Sequence, residues 1–302
     1  MNCSRKLLTG LAASVVLFAA PAMSQEGRGD VVYVPTPQIV VDEMLTMAKI
    51  GPTDFLIDLG SGDGRFVITA TQKYGARGFG VDLDTYLLRL ARKNAQAAGV
   101  ADRASFVEQN LFETDLSQAT VISSYLLPAM NLKLRPKILA MKPGTRIVAH
   151  DYHMGDWYPD DQRDIVVPEK KVGTAGVSYV YLWYVPARVA GKWQTQLNVG
   201  GKEMPYEIAF DQLFQTLDGT LRGGADSVAL RGKLKGDQIT FTTLPKGSPG
   251  NQRHQFTGKV SDDTITGMVR VGDGAAARET TWSAKLATRG EMRRAKDESE
   301  EH

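Results

Sequence analysis

The chain is nearly devoid of cysteine: Cys3 is the one thiol among 302 residues, and it stands ahead of the first apolar stretch. Disulfide staples, thiolate metal sites and cysteine nucleophiles are therefore excluded from the folded body. Histidine is almost as scarce, with four residues of which His302 is terminal. His150 and His153 flank Asp151, but positions three apart on a strand face opposite sides, so no metal site is expected. An excess of one charge is missing too. There are 36 basic against 34 acidic residues, and no Lys/Arg stripe, so composition offers no electrostatic footprint for nucleic acid. Apolar residues make up 42% and charged residues 23% of the chain, which rules out collagen, coiled coil and wholesale disorder.

Long apolar runs are also absent. The longest, Leu7 to Ala20, falls short of the roughly 20 residues needed to span a bilayer. Preceded by Arg5 and Lys6 and followed by Ala22-Met23-Ser24, it reads as a secretory signal over residues 1–24, removed on export to the periplasm or medium. Its loss takes Arg5 and Lys6 away and leaves a formally neutral mature chain with no membrane span.

What is present is an alternation of short apolar runs and helical patterns. Ile39, Val40, Met44, Leu45 and Ala48 recur at helical spacing after Pro37, a residue suited to a first helical turn. Phe55-Leu56-Ile57 then enters a glycine cluster that opens a helix from Phe66 to Tyr74. A second unit follows, with Gly78 to Val81 as strand and Tyr86 to Ala98 as helix. Further strands are expected at Ser105 to Val107, Val121 to Leu127 and Thr145 to His150, with a helix around Asn131 to Leu139. Successive strand-helix units imply a parallel sheet. Val166 to Val172 and Val177 to Val185 are rich in β-branched and aromatic residues and would add an antiparallel pair. The expectation for residues 31–187 is thus an α/β, Rossmann-like, seven-stranded sheet with helices on both faces.

Beyond Gly191 the texture changes to about eight short alternating segments separated by Gly, Asp or Asn. Residues 191–287 read as an all-β meander closing into a small barrel or sandwich, with Trp193 and Trp282 as plugs. Residues 289–302 are highly charged without apolar periodicity and read as a disordered tail.

The chemistry concentrates in Asp58-Leu59-Gly60-Ser61-Gly62-Asp63-Gly64. A strand-to-helix turn that lets a ligand touch its backbone needs glycine, since a Cβ would collide or forbid positive φ. A dinucleotide fingerprint would continue to a third glycine at position 65, which is Arg. Asp58 and Asp63 also oppose a pyrophosphate and suit a cationic amino group. Asp82, ending the second strand 20 residues after Gly62, can accept from both hydroxyls of a ribose. The set favours S-adenosylmethionine (SAM) over a nicotinamide cofactor.

These residues resemble the seven-strand class I SAM-dependent methyltransferases, with Asp58 to Gly64 as the first motif and Gly80-Val81-Asp82-Leu83-Asp84 as the second. Val34-Pro35-Thr36-Pro37 followed by a helix and this glycine turn is similar to the group containing the ATP synthase c-subunit lysine methyltransferase. The resemblance spans residues 31 to 157. It implies that Asp58, Gly60, Ser61, Gly62, Asp63 and Gly64 line the methionine end, that Asp82 holds the ribose, that Asn110 meets the adenine where the family more often has Asp, and that Thr36 lies over the cofactor. The acceptor is expected at the carboxyl ends of the fourth and fifth strands, beside Tyr125, Pro128, Asp151 and Tyr152. Leu127-Pro128 lacks the carboxamide and proline pair of enzymes acting on planar amides and bases. An aliphatic amine, such as a lysine of a protein or a small molecule, is the expected acceptor. No catalytic base is assigned. Because SAM is made in the cytoplasm, a rival reading keeps the fold as an exported, non-catalytic binding protein whose β domain holds an envelope ligand.

Overall fold

The structure is a computed structural model that describes residues 33–199, 201–224, 226–243, 252–274 and 277–293. The expected signal and the last nine residues of the expected tail lie outside these.

The first half alternates strand and helix. Its elements are α1 (Gln38–Met47), β1 (Phe55–Leu59), α2 (Arg65–Tyr74), β2 (Arg77–Asp82), α3 (Thr85–Ala97), β3 (Ala104–Glu108), β4 (Val121–Ser124), α4 (Pro128–Leu139), β5 (Arg146–His150), β6 (Asp161–Val166) and β7 (Val177–Tyr184). They form a seven-stranded sheet in the order β3-β2-β1-β4-β5-β7-β6. The first five strands pair in parallel and β7 and β6 run antiparallel at one side. β1, β4 and β5 are buried almost throughout, as strands covered on both faces must be. Leu56, Val121 and Val148 point to the layer of α1, α2 and α3. Ile57, Ile122 and Ile147 point the other way, to Leu134 and Ile138 of α4.

The second half contains β8 (Gly191–Val199), β9 (Lys202–Leu213), β10 (Thr216–Gly223), β11 (Asp226–Lys235), β12 (Gln238–Thr243), β13 (His254–Ser261), β14 (Thr264–Val271) and β15 (Arg278–Arg289). Consecutive strands pair antiparallel, and β15 returns to β8 to close an eight-stranded barrel. Along β8, β11 and β12 buried or half-buried residues alternate with exposed ones over most of each strand, the period of a sheet with one face inward. The interior holds Trp193, Phe241, Phe256 and Trp282. Both indoles donate inward, Trp193 to Val189 O and Trp282 to Thr257 O at 2.8 and 2.9 Å.

The α/β sheet and the all-β barrel are the expected architecture, with two corrections. The antiparallel edge strand occupies Asp161–Val166 instead of Val166 to Val172. Pro168 supplies no backbone donor for a ladder, and the true edge strand is almost wholly exposed, so it carries no apolar alternation to read. Residues 289–293, expected to be disordered, are held instead. Arg289 ends β15, Gly290 N donates to Ala190 O, and Arg293 pairs with Asp211.

The halves are joined at the turn between β9 and β10. The Phe214 ring stacks on Trp157, centroids 5.8 Å apart, and the Trp157 indole donates to Gln215. Fully buried Gln212 accepts from Val189 N and Ala190 N and donates to Ala187 O and Phe214 O. One side chain thereby satisfies the connecting segment's backbone and fixes it to the barrel.

Candidate active site

The glycine turn sits at the carboxyl ends of β1 and β2. Gly60, Gly62 and Gly64 have φ of 78°, 51° and 83°, values that L side chains rarely adopt. A Cβ at Gly62 would stand 2.2 Å from Tyr33 Cε2, and one at Gly64 2.5 Å from Phe106 Cζ. Gly60 N and Ser61 N both donate to Val81 O, tying the turn to the neighbouring strand. Asp82 completes the arrangement. Its Oδ2 accepts from Gly62 N at 2.9 Å and its Oδ1 from Asp84 N at 3.0 Å, so the carboxylate is oriented toward the turn.

Asp58 is 3% exposed, and Ser123 Oγ donates to it at 2.7 Å. Burial pushes its carboxyl up to about 7, against the opposing effect of the Ser123 hydrogen bond. A cation placed beside it would favour the ionised form. Ser61 Oγ and Ser124 Oγ, from the turn and from the end of β4, are buried without a hydrogen-bond partner. A positive-φ glycine turn, a desolvated carboxyl, orphaned hydroxyls and the oriented Asp82 fit SAM, which presents a cationic amino end and a ribose.

Asp63 is placed differently. Although burial opposes it, Arg65 holds its carboxyl below the usual range, donating from Nε at 2.9 Å and Nη2 at 2.5 Å. Arg65 Nη1 also donates to Thr36 O at 2.6 Å. Asp63 therefore serves the Arg65 clamp that fastens the entering chain over the turn, and its charge is neutralised locally. Thr36 is buried, with Oγ1 3.1 Å from His150 Nδ1, while His150 Nε2 lies 2.9 Å from Ser178 Oγ. Burial depresses the His150 pKa to about 4, so the ring is neutral and structural. Asn110, following β3, spends its Oδ1 on Phe112 N at 3.0 Å in a local turn.

Of the residues expected beside the acceptor, Tyr125 and Asp151 follow β4 and β5 directly, and those strands flank one another beside β1. Tyr125 OH donates to Asp151 Oδ2 at 3.2 Å. Its ring lies 4.0 Å from that of His150 and 6.1 Å from that of Tyr152, centroid to centroid. The next residue, Leu126, reaches within 3.3 Å of a Cβ position on Gly60, which puts this cluster against the turn. Pro128 is apart from it, exposed at the first turn of α4. Among the described residues no three His, Cys, Asp or Glu side chains could hold a metal, and no helix is long and apolar enough to cross a membrane.

The sequence reading missed Tyr33, Ser123 and Lys170. Tyr33 lies before the helix pattern and Ser123 inside an apolar strand. Glu169-Lys170-Lys171 looks like a solvated charge run, yet Lys170 is buried on Asp151.

A mostly parallel sheet with this strand order, a positive-φ glycine turn after β1 and an acid closing β2 define a class I SAM-dependent methyltransferase. The chain belongs to the family of the ANTKMT methyltransferase domain, whose model matches residues 58–161. A protein-lysine N-methyltransferase of Saccharolobus islandicus is 43% identical over 131 residues, which are 43% of this chain and 81% of that protein. The adenine nucleotide translocase lysine N-methyltransferase of Mus musculus is 31% identical over 44% of this chain, and the match spans 58% of its own length. A solved RNA methyltransferase of Salinibacter ruber, in complex with S-adenosyl-L-homocysteine, is 48% identical over 52% of this chain and 96% of its own, with a TM-score of 0.46. The family model ends before the barrel begins.

Proposed function

We propose that the chain N-methylates a lysine side chain of a protein. The observation that carries this reading is the match to the Saccharolobus protein-lysine methyltransferase over 81% of that enzyme. The acceptor-side residues agree with it. Tyr125 and Tyr152, with the buried Asp151 behind the Tyr125 hydroxyl, form an aromatic and hydrogen-bonding cluster suited to an aliphatic amine.

Bound SAM supplies a methyl group activated by a sulfonium. The protein's part is chiefly alignment, which contributes about 7 to 11 kcal/mol in well-oriented reactions. Asp58, Ser61, Gly60 and Gly62 would hold the amino-acid end, and Asp82 the ribose. Tyr125 is no base: burial and the adjacent Asp151 carboxylate push its hydroxyl well above its ordinary range. His150 cannot serve either, because both ring nitrogens are engaged. The acceptor, with an ordinary pKa of about 10.4, therefore finds no base in Tyr125 or His150.

Export by the leader over residues 1–24, and a barrel that orients the acceptor, complete the proposal. Titration calorimetry with SAM, S-adenosylhomocysteine and NAD, followed by transfer of labelled methyl to a lysine peptide and its dimethyl-lysine counterpart, tests the activity. Both adenosyl ligands should bind and NAD should not, with label entering the free lysine in preference. Absence of adenosyl binding at millimolar concentration defeats the proposal. Fractionation of cells carrying a tagged chain tests the location.

A further inference from the structure

The segment between β6 and β7 returns across the end of β5 and buries one lysine there. The Lys170 side chain is 5% exposed, and its Nζ donates to Asp151 Oδ1 at 2.6 Å and to Val177 O at 2.5 Å. Asp151 is equally buried and adopts a left-handed backbone at φ 61°. Its N donates to Tyr179 O at 2.7 Å and its Oδ1 accepts from Tyr179 N at 3.1 Å. Non-glycine residues keep such a conformation where surroundings impose it, commonly at functional sites. Both carboxylate oxygens are thus committed, one to Lys170 and Tyr179, the other to Tyr125.

We infer that Lys170 is a positioning residue for methyl transfer: by neutralising Asp151 it lets the carboxylate orient the Tyr125 hydroxyl without leaving a net negative charge that would hold the acceptor as an ammonium. This rests on the lysine-methyltransferase reading. With its proton directed to Asp151, the Tyr125 oxygen offers lone pairs to an N–H of the acceptor. An uncompensated carboxylate one hydrogen bond behind it would favour the charged amine, whose lone pair is unavailable, and a like charge would disfavour it. The other titratable groups around the pair are His150 on β5, Tyr152 after it, Tyr179 and Tyr181 on β7 and Asp164 on β6, while Tyr125 approaches from β4. Lys170 is the cation that this set places on Asp151.

The test uses the full chain with SAM and Nα-acetyl-lysinamide, whose only amine is the side chain. Lys170→Met should move the alkaline-going rise of kcat upward by about one pH unit, roughly a tenfold loss near neutral pH. Lys170→Arg should restore it, and Asp151→Asn should move it downward. The double variant Asp151→Asn/Lys170→Met should return it to the wild-type position. Calorimetry in two buffers with S-adenosylhomocysteine bound gives a readout independent of turnover. Wild type should release a proton on taking up the amine, and Lys170→Met should release fewer. If Lys170→Met does not fold, the Asp151→Asn shift and the double variant carry the test. Unmoved limbs and unchanged proton release, with wild type active on the amine, overturn the role of Lys170 alone. A wild type that methylates no amine overturns the lysine reading with it.

Discussion

The two halves handle buried polarity in opposite ways. In the barrel, polar groups at depth are closed on themselves: Trp193 and Trp282 reach carbonyls, and Gln212 makes four hydrogen bonds. In the sheet domain, Ser61, Thr71, Ser124 and Asn131 each keep a buried side-chain atom without a partner, and all such atoms among the described residues belong to this half. Ser61 and Ser124 stand at the glycine turn and the strand end beside it. A native fold satisfies nearly all its buried polar atoms, so orphans gathered beside positive-φ glycines mark where a ligand completes the structure. Among the described residues the barrel leaves no such atom.

The largest effect that could break this comparison comes from the turn. Gly62→Ala places a methyl where Tyr33 Cε2 stands, on backbone at φ 51°. Either the Tyr33 segment lifts or the turn shifts, and the surface built for SAM is lost in both cases. Calorimetry should show SAM binding weakened at least a hundredfold, while near-ultraviolet signals from Trp193 and Trp282 stay native. Retained affinity would mean that the turn is ordinary connecting structure.

Legibility followed the same division. Asp58, the glycines and Asp82 could be read because the strand-turn-helix constraint is local: each residue type is demanded by its neighbours in sequence. The barrel strands were legible because one-sided burial writes a period of two. The Asp151–Lys170 pair was not, since its partners are 19 residues apart and meet only where the segment before β7 folds back. In the sequence Arg65 is only the place of a missing glycine, and the structure shows it clamping Asp63 and Thr36 O. Edge strand β6 escaped because exposure erased the pattern that reveals a strand.

A second contrast concerns pH, where the sheet domain carries two buried groups with opposed signs. Asp58 is raised from 3.8 to about 7, so the native state binds the proton more tightly, and stability falls as pH rises from about 4 to 7. His150 is lowered from 6.5 to about 4, so the unfolded state binds the proton more tightly, and stability rises over nearly the same window. The two slopes integrate to about 4 and about 3 kcal/mol respectively, so in wild type they oppose one another and leave a small remainder. Urea midpoints of the SAM-free protein should therefore vary less between pH 4 and 7 than either shift alone would give, with the lowered His254 of the barrel adding to the rising side. His150→Gln should expose the falling slope and Asp58→Asn the rising one. Flat profiles in both variants would contradict the buried, oppositely shifted pair.

The smallest effect sharpens the comparison from the barrel side. Trp282→Phe keeps an aromatic ring against Phe241 and Phe256 but removes the indole N–H that serves Thr257 O. Losing one such hydrogen bond costs about 0.5 to 1.5 kcal/mol, and this loss should appear in the barrel's unfolding with SAM affinity unchanged. The halves meet through Phe214 on Trp157 and through Gln212 on the connecting segment, both remote in sequence from β15. If the barrel is a self-contained scaffold, the substitution lowers its melting temperature alone and thermal unfolding separates into two transitions. A single transition shifted as a whole, with SAM protecting the barrel in proportion, would show instead that the Trp157–Phe214 contact joins both halves into one cooperative unit.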